Sequence, residues 1–203
     1  MIKNIIFDIG NVLLNFNPKE YLGNKYSDED ASFLFSAIFD TDEWIELDRG
    51  TISEAEALNI FLERNPEKED ILREVMGDFY SIFTPIESTV EILNNLHRQG
   101  GYTLFYLSNI HLGIYSHIID KYEFFKVFSG GIVSAEEKML KPDKDIYHRL
   151  IEKYKVIPEE SLFIDDTAIN IEAAGKIGFE TIHLTNPDIL QRELEQKAFE
   201  VVN

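Results

Sequence analysis

The 203-residue sequence contains no cysteine, which excludes disulfide bonds, thiol nucleophiles and thiolate metal ligands. It also has no apolar run that approaches the ~20 residues of a membrane-spanning helix. A strand-like apolar run already begins at Ile2, which leaves no room ahead of it for a signal peptide. We therefore expect a soluble, cytoplasmic protein without a membrane partner.

Basic residues are scarce, since 19 Lys and Arg oppose 37 Asp and Glu and give a formal net charge of −18. The sequence has no clustered basic face of the kind that binds a nucleic-acid backbone, so nucleic acid is not an expected partner. The net charge also opposes anionic small substrates. Salt screens charges beyond ~8 Å, so a local metal ion or lysine is needed to attract a phosphate group.

Apolar strand-like runs alternate with segments of helical period along most of the chain. The predicted strands cover residues 2–7, 102–107, 127–128 with 132–133, 162–164 and 181–184. Such alternation predicts an α/β fold with a doubly wound, Rossmann-like parallel sheet.

Residues 16–84 break this alternation because they carry only helical signals. Ser53 and Glu56 form a capping-box pattern ahead of one apolar stripe, and residues 71–83 carry a second, broader stripe. We predict a helical cap over residues 16–84, inserted after the first strand. The α/β core is predicted to comprise residues 1–15 and 85–203.

Four short motifs carry the polar residues of chemical interest, in the order FDIGN, LSN, KPD and FIDD. Taken singly, an Asp after a strand is usually a turn residue, a Ser-Asn pair a helix cap, and a Lys before Pro a solvated charge. The pair Asp165-Asp166 is harder to explain in this way. Two adjacent carboxylates at the end of a buried strand repel each other unless a cation lies there.

The motifs together supply what a phosphoryl transfer needs. The Asp8 carboxylate can attack phosphorus to form an aspartyl-phosphate, provided that the repulsion between the two anions is cancelled. Mg²⁺ cancels it, because this hard cation joins carboxylate and phosphate oxygens. Ser108, Asn109 and neighbouring backbone N–H groups are candidates to bind the phosphate oxygens, and Lys141 adds fixed positive charge.

With all four motifs in order, the sequence resembles the haloacid-dehalogenase-like superfamily of hydrolases over nearly the whole chain. FDIGNVL is similar to the first family motif, with Asp8 as nucleophile, and LSN to the second, with Ser108. KPD is similar to the third, with Lys141, and FIDDTAIN to the fourth. The segments FDIGN, DRGTIS and NIEAAGKIGF are most similar to the branch that contains bacterial α-D-glucose-1-phosphate phosphatases.

The resemblance implies a mobile helical cap and a magnesium site. The metal is expected at the Asp8 side chain, the Gly10 backbone carbonyl and Asp166, which is preferred to Asp165. Asp165 or Asn170 is expected to orient the metal or a bound water.

The cap residues of such enzymes select the substrate. Trp44, Glu46 and Arg49 are candidates to reach the site, and they fit the cap surface or the cap core equally well. His111, just past LSN, could touch the substrate from its loop, but its interpretation as a surface residue is preferred.

One position departs from the common phosphatase pattern, in which a second Asp two residues after the nucleophile protonates the leaving oxygen. That position is Gly10, and Asn11 cannot act as a general base in its place. Metal-bound water or a residue from the cap could take over part of the role. Without such an acid, glucose 1-phosphate should be a better substrate than glucose 6-phosphate.

The prediction is a magnesium-dependent phosphatase that acts on a small phosphorylated metabolite, with a sugar phosphate as the preferred class. One alternative is a 2-haloacid dehalogenase, although its usual halide-binding arginine has no clear counterpart in this sequence. The other is a catalytically weak protein that binds a phosphorylated ligand for regulation, as the missing acid at Gly10 suggests. Monomer and homodimer remain equally open.

Overall fold

The computed structural model describes residues 1–198 and is built around a five-stranded parallel sheet. The strands are β1 (Asn4–Phe7), β2 (Thr103–Ser108), β3 (Gly130–Val133), β4 (Ser161–Asp165) and β5 (Glu180–His183). Their spatial order is β3-β2-β1-β4-β5, so β1 is central and pairs in parallel with β2 and β4. The predicted α/β class with a doubly wound parallel sheet is confirmed.

The central strand is apolar throughout because helices cover both faces of the sheet. Ile5 and Phe7 point to one face, where they join a large core with side chains of the helices before β2. Ile6 points to the other face and packs with Ile146 and Ala174. Alternate residues of a strand thus fill opposite cores, and the carboxyl end of β1 is fixed between them.

Eleven α-helices complete the described structure. They are α1 (Pro18–Lys25), α2 (Asp28–Leu34), α3 (Asp42–Arg49), α4 (Glu54–Arg64), α5 (Glu69–Asp78), α6 (Glu87–Gln99), α7 (Leu112–Lys121), α8 (Ser134–Glu137), α9 (Lys144–Tyr154), α10 (Ala168–Ile177) and α11 (Leu190–Ala198). None of the helices within residues 1–198 combines the length and the apolar character needed to cross a membrane.

Helices α1–α5 lie between β1 and α6, where the sequence predicts the cap. The capping box is present at the start of α4, with Ser53 and Glu56 each bonded to the other's backbone N–H. The division into a cap over 16–84 and a core over 1–15 and 85–203 stays a prediction, and residues 199–203 of that core lie outside the described residues.

The chain leaves the sheet and returns to it through two segments that pair with each other. The Asn15 N–H donates to the Thr84 carbonyl at 2.8 Å, and the Ile86 N–H donates to the Leu13 carbonyl at 2.9 Å. The Asn15 side chain adds a bond to the Thr84 hydroxyl at 3.0 Å. We call residues 13–15 and 84–86 the connecting segments.

Helix α3 ends directly against the core. Its C-cap residue Gly50 has φ 73°, a left-handed conformation that glycine adopts without the strain of a side chain. A Cβ atom at this position would overlap the Ala135 carbonyl in α8. The end of α3 is therefore held close to the segment that follows β3.

One predicted strand segment is wrong. Residues 127–128 do not extend β3, because Val127 ends a 3-10 helix (Glu123–Val127) and the strand begins at Gly130. Phe128 instead packs its ring on those of Phe7 and Tyr106, with centroids 6.1 and 5.4 Å away. The apolar character of residues 127–128 thus reflects aromatic packing beneath the sheet.

Candidate active site

Two acidic residues lie side by side at the carboxyl edge of the sheet. Asp8 follows the last residue of β1, and Asp165 is the last residue of β4. The parallel register pairs Phe7 with Ile164, and the Asp8 N–H donates to the Ile164 carbonyl at 2.8 Å. Ligands of open α/β sheets bind at this edge.

Lys141 joins these two acids. Its Nζ lies 2.9 Å from Asp8 Oδ1 and 2.6 Å from Asp165 Oδ2, and its side chain is 1% exposed. Asn109, at the end of LSN, positions the lysine: its Nδ2 donates to the Lys141 carbonyl at 2.9 Å, and its Oδ1 accepts from the Lys141 N–H at 2.8 Å. Contact of Asn109 with substrate stays a prediction.

The fully buried Asp165 carboxylate has partners for both oxygens. Oδ1 accepts from the Thr167 N–H at 2.8 Å and from Asn170 Nδ2 at 3.1 Å. Oδ2 accepts from Lys141 and, at 3.1 Å, from Asn170. These contacts hold the Asp165 carboxylate in place beside Lys141.

Asp166 is only partly buried, and each of its carboxylate oxygens accepts one hydrogen bond. Its Oδ2 accepts from Asn11 Nδ2 at 3.0 Å, and its Oδ1 accepts from the Thr167 hydroxyl at 3.1 Å. One carboxylate oxygen from each of Asp8, Asp165 and Asp166 lies within 4.8 Å of the other two. These oxygen donors fit a hard divalent cation.

The charge of this cluster also fits such a cation. When ionised, the three carboxylates carry three negative charges, and the Lys141 ammonium supplies one positive charge. The difference is two negative charges, which one divalent cation balances. Sequence analysis preferred Asp166 to Asp165 as the direct ligand, and this preference stays a prediction.

Burial controls the protonation of the two central groups. It raises the pKa of Asp8 to about 7; the Asp165 charge adds to this, whereas Lys141 and a hydrogen bond from Ser108 lower it. Burial lowers the pKa of Lys141, but the Asp8 and Asp165 carboxylates outweigh it, so that this pKa is raised. Lys141 therefore remains an ammonium group.

Ser108 and Gly10 flank the Asp8 carboxylate in the chain fold. Ser108 is the last residue of β2 and is 2% exposed. At Gly10 the φ angle is not in the left-handed region, and no atom lies within 4 Å of an added Cβ. A side chain at position 10 is therefore sterically possible.

The three predicted cap residues have contacts within the insertion. Trp44 is 7% exposed and stacks on Phe16, with ring centroids 6.1 Å apart. Glu46 and Arg49 form an ion pair at 3.3 Å with each other. Their contact with a substrate stays a prediction.

Asp48, a partly buried residue near the end of α3, was not identified from the sequence. Burial raises its pKa to about 7; the His111 N–H lowers it, the Asp8 charge raises it and the Lys141 charge lowers it. A signal was present in the sequence. Asp48 follows the buried Leu47 and lies one turn after the buried Trp44, so it is a carboxylate that borders the apolar face of an amphipathic helix.

The interpretation of His111 as a surface residue is wrong. The residue is 2% exposed because Trp44 and Phe79 cover its ring, with centroids 5.6 and 5.7 Å away. His111 Nδ1 lies 3.1 Å from Glu54 Oε1, but neither ring nitrogen makes a well-aligned hydrogen bond within residues 1–198. A cleft of about 530 Å³ beside this pair is lined by Leu47, Thr51, Ser53, Glu54, Glu56 and His111.

Two phosphatases have sequences similar to this chain over nearly its whole length. A sesquiterpene phosphatase, astK of Aspergillus oryzae, is 24% identical over 194 residues, which cover 96% of this chain and 95% of that protein. A D-ribitol-5-phosphate phosphatase of Bacteroides thetaiotaomicron is 26% identical over 213 aligned residues, covering 96% of this chain and 97% of that protein.

A solved structure shows the same fold. The HAD family enzyme bt-2542 of Bacteroides thetaiotaomicron, in complex with magnesium and inorganic phosphate, superposes with a TM-score of 0.69 at 22% identity. The alignment covers 90% of this chain and 93% of that chain. The family model of the haloacid dehalogenase-like hydrolases matches residues 2–178. This protein therefore belongs to the haloacid dehalogenase-like hydrolases.

Proposed function

We propose that this hydrolase is a magnesium-dependent phosphatase that acts through an aspartyl-phosphate formed on Asp8. The observation that carries the proposal is the buried Lys141 between Asp8 and Asp165, with the Asp166 carboxylate next to them. This cluster presents a nucleophilic carboxylate, a fixed ammonium and an oxygen-rich cation site at one sheet edge. Phosphatases among the related sequences support the same chemistry.

The charge of the cluster favours a phosphatase over a dehalogenase. Expelling a halide with a carboxylate nucleophile needs no metal, whereas attack on a phosphate dianion requires added positive charge. The two negative charges that Lys141 leaves unbalanced supply a reason for this site to bind a divalent cation.

Each residue of the site would have its own role in the reaction. Asp8 attacks phosphorus with a carboxylate oxygen, while the Ser108 hydroxyl and the Lys141 ammonium hold the phosphoryl oxygens. Asp165 fixes the position of Lys141. The Asp8 and Asp166 side chains and the Gly10 carbonyl would hold magnesium, which would supply positive charge to reduce the repulsion between nucleophile and substrate.

A related phosphatase supports a leaving group rich in hydroxyls. The related D-ribitol-5-phosphate phosphatase acts on a substrate of this type. We propose a sugar or polyol phosphate as the substrate class.

The test measures phosphate release from a panel of sugar, polyol and terpenyl phosphates, with magnesium and with excess chelator. We expect release only with magnesium, and a loss of at least ~10³-fold in kcat for Asp8→Asn, because an amide cannot attack phosphorus. The matched control is Asp120→Asn at an exposed position of α7, which should retain full activity.

Two outcomes would contradict the proposal. Phosphate release that persists in chelator would remove the metal from the mechanism. Chloride release from 2-chloropropionate without any phosphatase activity would identify a dehalogenase instead.

A further inference from the structure

The proposed phosphatase reaction needs a proton donor for the departing oxygen, and position 10 supplies none. Among the groups at the site, Lys141 is committed to two carboxylates, and its raised pKa keeps it an ammonium. Asp165 accepts four hydrogen bonds and is 0% exposed. The Asn11 side chain binds Asp166 and the Phe16 N–H. None of these can give a proton to an incoming substrate and take one back.

The backbone of Asp48 is fixed against the core. Its carbonyl accepts a hydrogen bond from the Ser134 hydroxyl, and that hydroxyl accepts from the Ile110 N–H at 2.8 Å. Ser134 follows the last residue of β3, and Ile110 lies two residues after Ser108. Two residues beyond Asp48, Gly50 packs on the Ala135 backbone. Asp48 therefore lies above the carboxyl edge of the sheet, where Asp8 follows β1.

The Asp48 carboxyl group lies near enough to the site for its groups to act on it. The backbone N–H of His111, three residues after Ser108, lowers the pKa of Asp48. The charges of Asp8 and Lys141 act on Asp48, but neither residue makes a hydrogen bond to it. Asp48 is therefore near the nucleophile without being bonded to it.

We propose that Asp48 is the general acid and base of the proposed phosphatase reaction, in place of the side chain that Gly10 lacks. The role requires a carboxyl group that faces Asp8 from the opposite wall of the cleft. The bond from Ser134 to the Asp48 carbonyl and the packing of Gly50 on Ala135 place Asp48 at this wall.

Its protonation suits both halves of the reaction. Burial raises the pKa of Asp48 to about 7, so the acid and the carboxylate are both well populated near neutral pH. A carboxyl group with an unshifted pKa of about 3.9 would almost always be ionised there. From α8, which packs against α3, Glu136 is exposed and Glu137 pairs with Arg149.

The reaction has two steps, the formation and the hydrolysis of the aspartyl-phosphate. An Asp8 oxygen forms a bond to phosphorus, the bond from phosphorus to the substrate oxygen breaks, and that oxygen takes the bonding electron pair and the Asp48 proton. The Asp48 carboxylate then takes a proton from water as the water oxygen attacks phosphorus. The bond from phosphorus to Asp8 breaks, releasing inorganic phosphate and restoring the Asp8 carboxylate and the Asp48 acid.

The key variant is Asp48→Asn, because the amide has nearly the shape of the carboxyl group but cannot act as a general acid or base. We expect kcat for a primary-alkyl phosphate such as glucose 6-phosphate to fall ~10²–10⁴-fold, the usual contribution of general acid catalysis. With p-nitrophenyl phosphate, whose leaving group needs no proton, phosphorylation should proceed and phosphoenzyme should accumulate as a burst. The exposed Asp42→Asn at the start of α3 is the matched control and should behave as wild type.

A second variant restores the missing acid at the usual position. Gly10→Asp is sterically possible, so the double variant Asp48→Asn with Gly10→Asp should recover activity toward the alkyl phosphate. A merely structural role of Asp48 would not be rescued in this way, since position 10 lies on a different element. In wild type, activity should depend only weakly on the leaving group, unlike the sequence-based expectation that glucose 1-phosphate is strongly preferred.

The inference rests on the proposed function, and the experiment separates the two. If wild type releases no phosphate from any substrate, the proposed function fails, and the role of Asp48 fails with it. If wild type is active and folded Asp48→Asn hydrolyses the alkyl phosphate at the wild-type rate, without a phosphoenzyme burst, only the role of Asp48 is contradicted. Equal losses for both substrates without a burst contradict it as well.

Discussion

Lys141 is the residue on which the buried charge of the site depends. Replacing it with Met would leave Asp8 and Asp165 buried without their shared cation. We expect a loss of ~3–5 kcal/mol in the free energy of unfolding at pH 8, as for other broken buried ion pairs. Urea unfolding in chelator measures it, with the exposed Lys144→Met as the control.

The pH dependence of this loss has a defined sign. Burial already raises the pKa of Asp8 to about 7, and removing Lys141 raises it further. A carboxyl group whose pKa is higher in the folded state destabilises the fold once pH exceeds its unfolded value of about 3.9. The penalty for Lys141→Met should therefore shrink between pH 8 and pH 5. If the loss of stability in Lys141→Met grew on acidification instead, the Asp8 carboxylate would not be its source.

At the residue scale, the sequence predicts the acids and the lysine but not their division of roles. Motif order identifies Asp8, Lys141 and the Asp165-Asp166 pair, because each follows an apolar run or a turn signal. Asp48 was not identified, since its position depends on contacts such as the bond from Ser134, 86 residues away. His111 was misplaced for a similar reason, because rings of the insertion cover it.

At the scale of elements, the end of α3 allows a matched comparison. Gly50 and Gly178 are both left-handed C-caps, with φ 73° and 109°. A Cβ would overlap the Ala135 carbonyl at position 50, whereas at position 178 its nearest neighbour is the Glu159 side chain at 3.4 Å. Gly178→Ala should cost only the backbone strain of ~1–2 kcal/mol.

Gly50→Ala should cost clearly more than Gly178→Ala and should also lower kcat, because Asp48 lies two residues before the displaced turn. Thermal unfolding and phosphate release measure the two effects. Equal losses of stability in the two variants, with unchanged kcat, would show that the close approach of α3 to α8 does not contribute to stability.

The elements were mostly predictable because the strands of a buried parallel sheet are apolar along their length. β3 was the exception, since it begins with Gly130-Gly131 and offers no apolar pattern there. The Tyr106 ring occupies the space where a Cβ of residue 131 would lie. Such a close approach between neighbouring strands cannot be read from local residues.

The charge of the whole molecule predicts how salts act on stability. With a net charge of −18, self-repulsion should weaken the fold at low ionic strength, so NaCl should raise Tm modestly. Magnesium at matched ionic strength should raise Tm further and in a saturable way, because a bound ion stabilises the folded state by ~2.7 kcal/mol at 100 times its Kd.

The matched control for magnesium is Asp166→Asn, which removes a proposed ligand that is only partly buried. This variant should keep the NaCl effect and lose the additional magnesium effect. Identical Tm curves for magnesium and NaCl in wild type would contradict a specific metal site at the acidic cluster.

The connecting segments at residues 13–15 and 84–86 also bear on how such a protein changes over generations. Because the chain leaves the sheet and re-enters it at hydrogen-bonded neighbouring positions, the stretch between them can be shortened, lengthened or exchanged without moving either end. Mutations that alter which molecules are accepted can accumulate there while Asp8 and Lys141 keep their geometry. Selection for new substrates thus acts mainly on this stretch, whereas selection for intact chemistry acts on the sheet edge and, within the stretch, on Asp48.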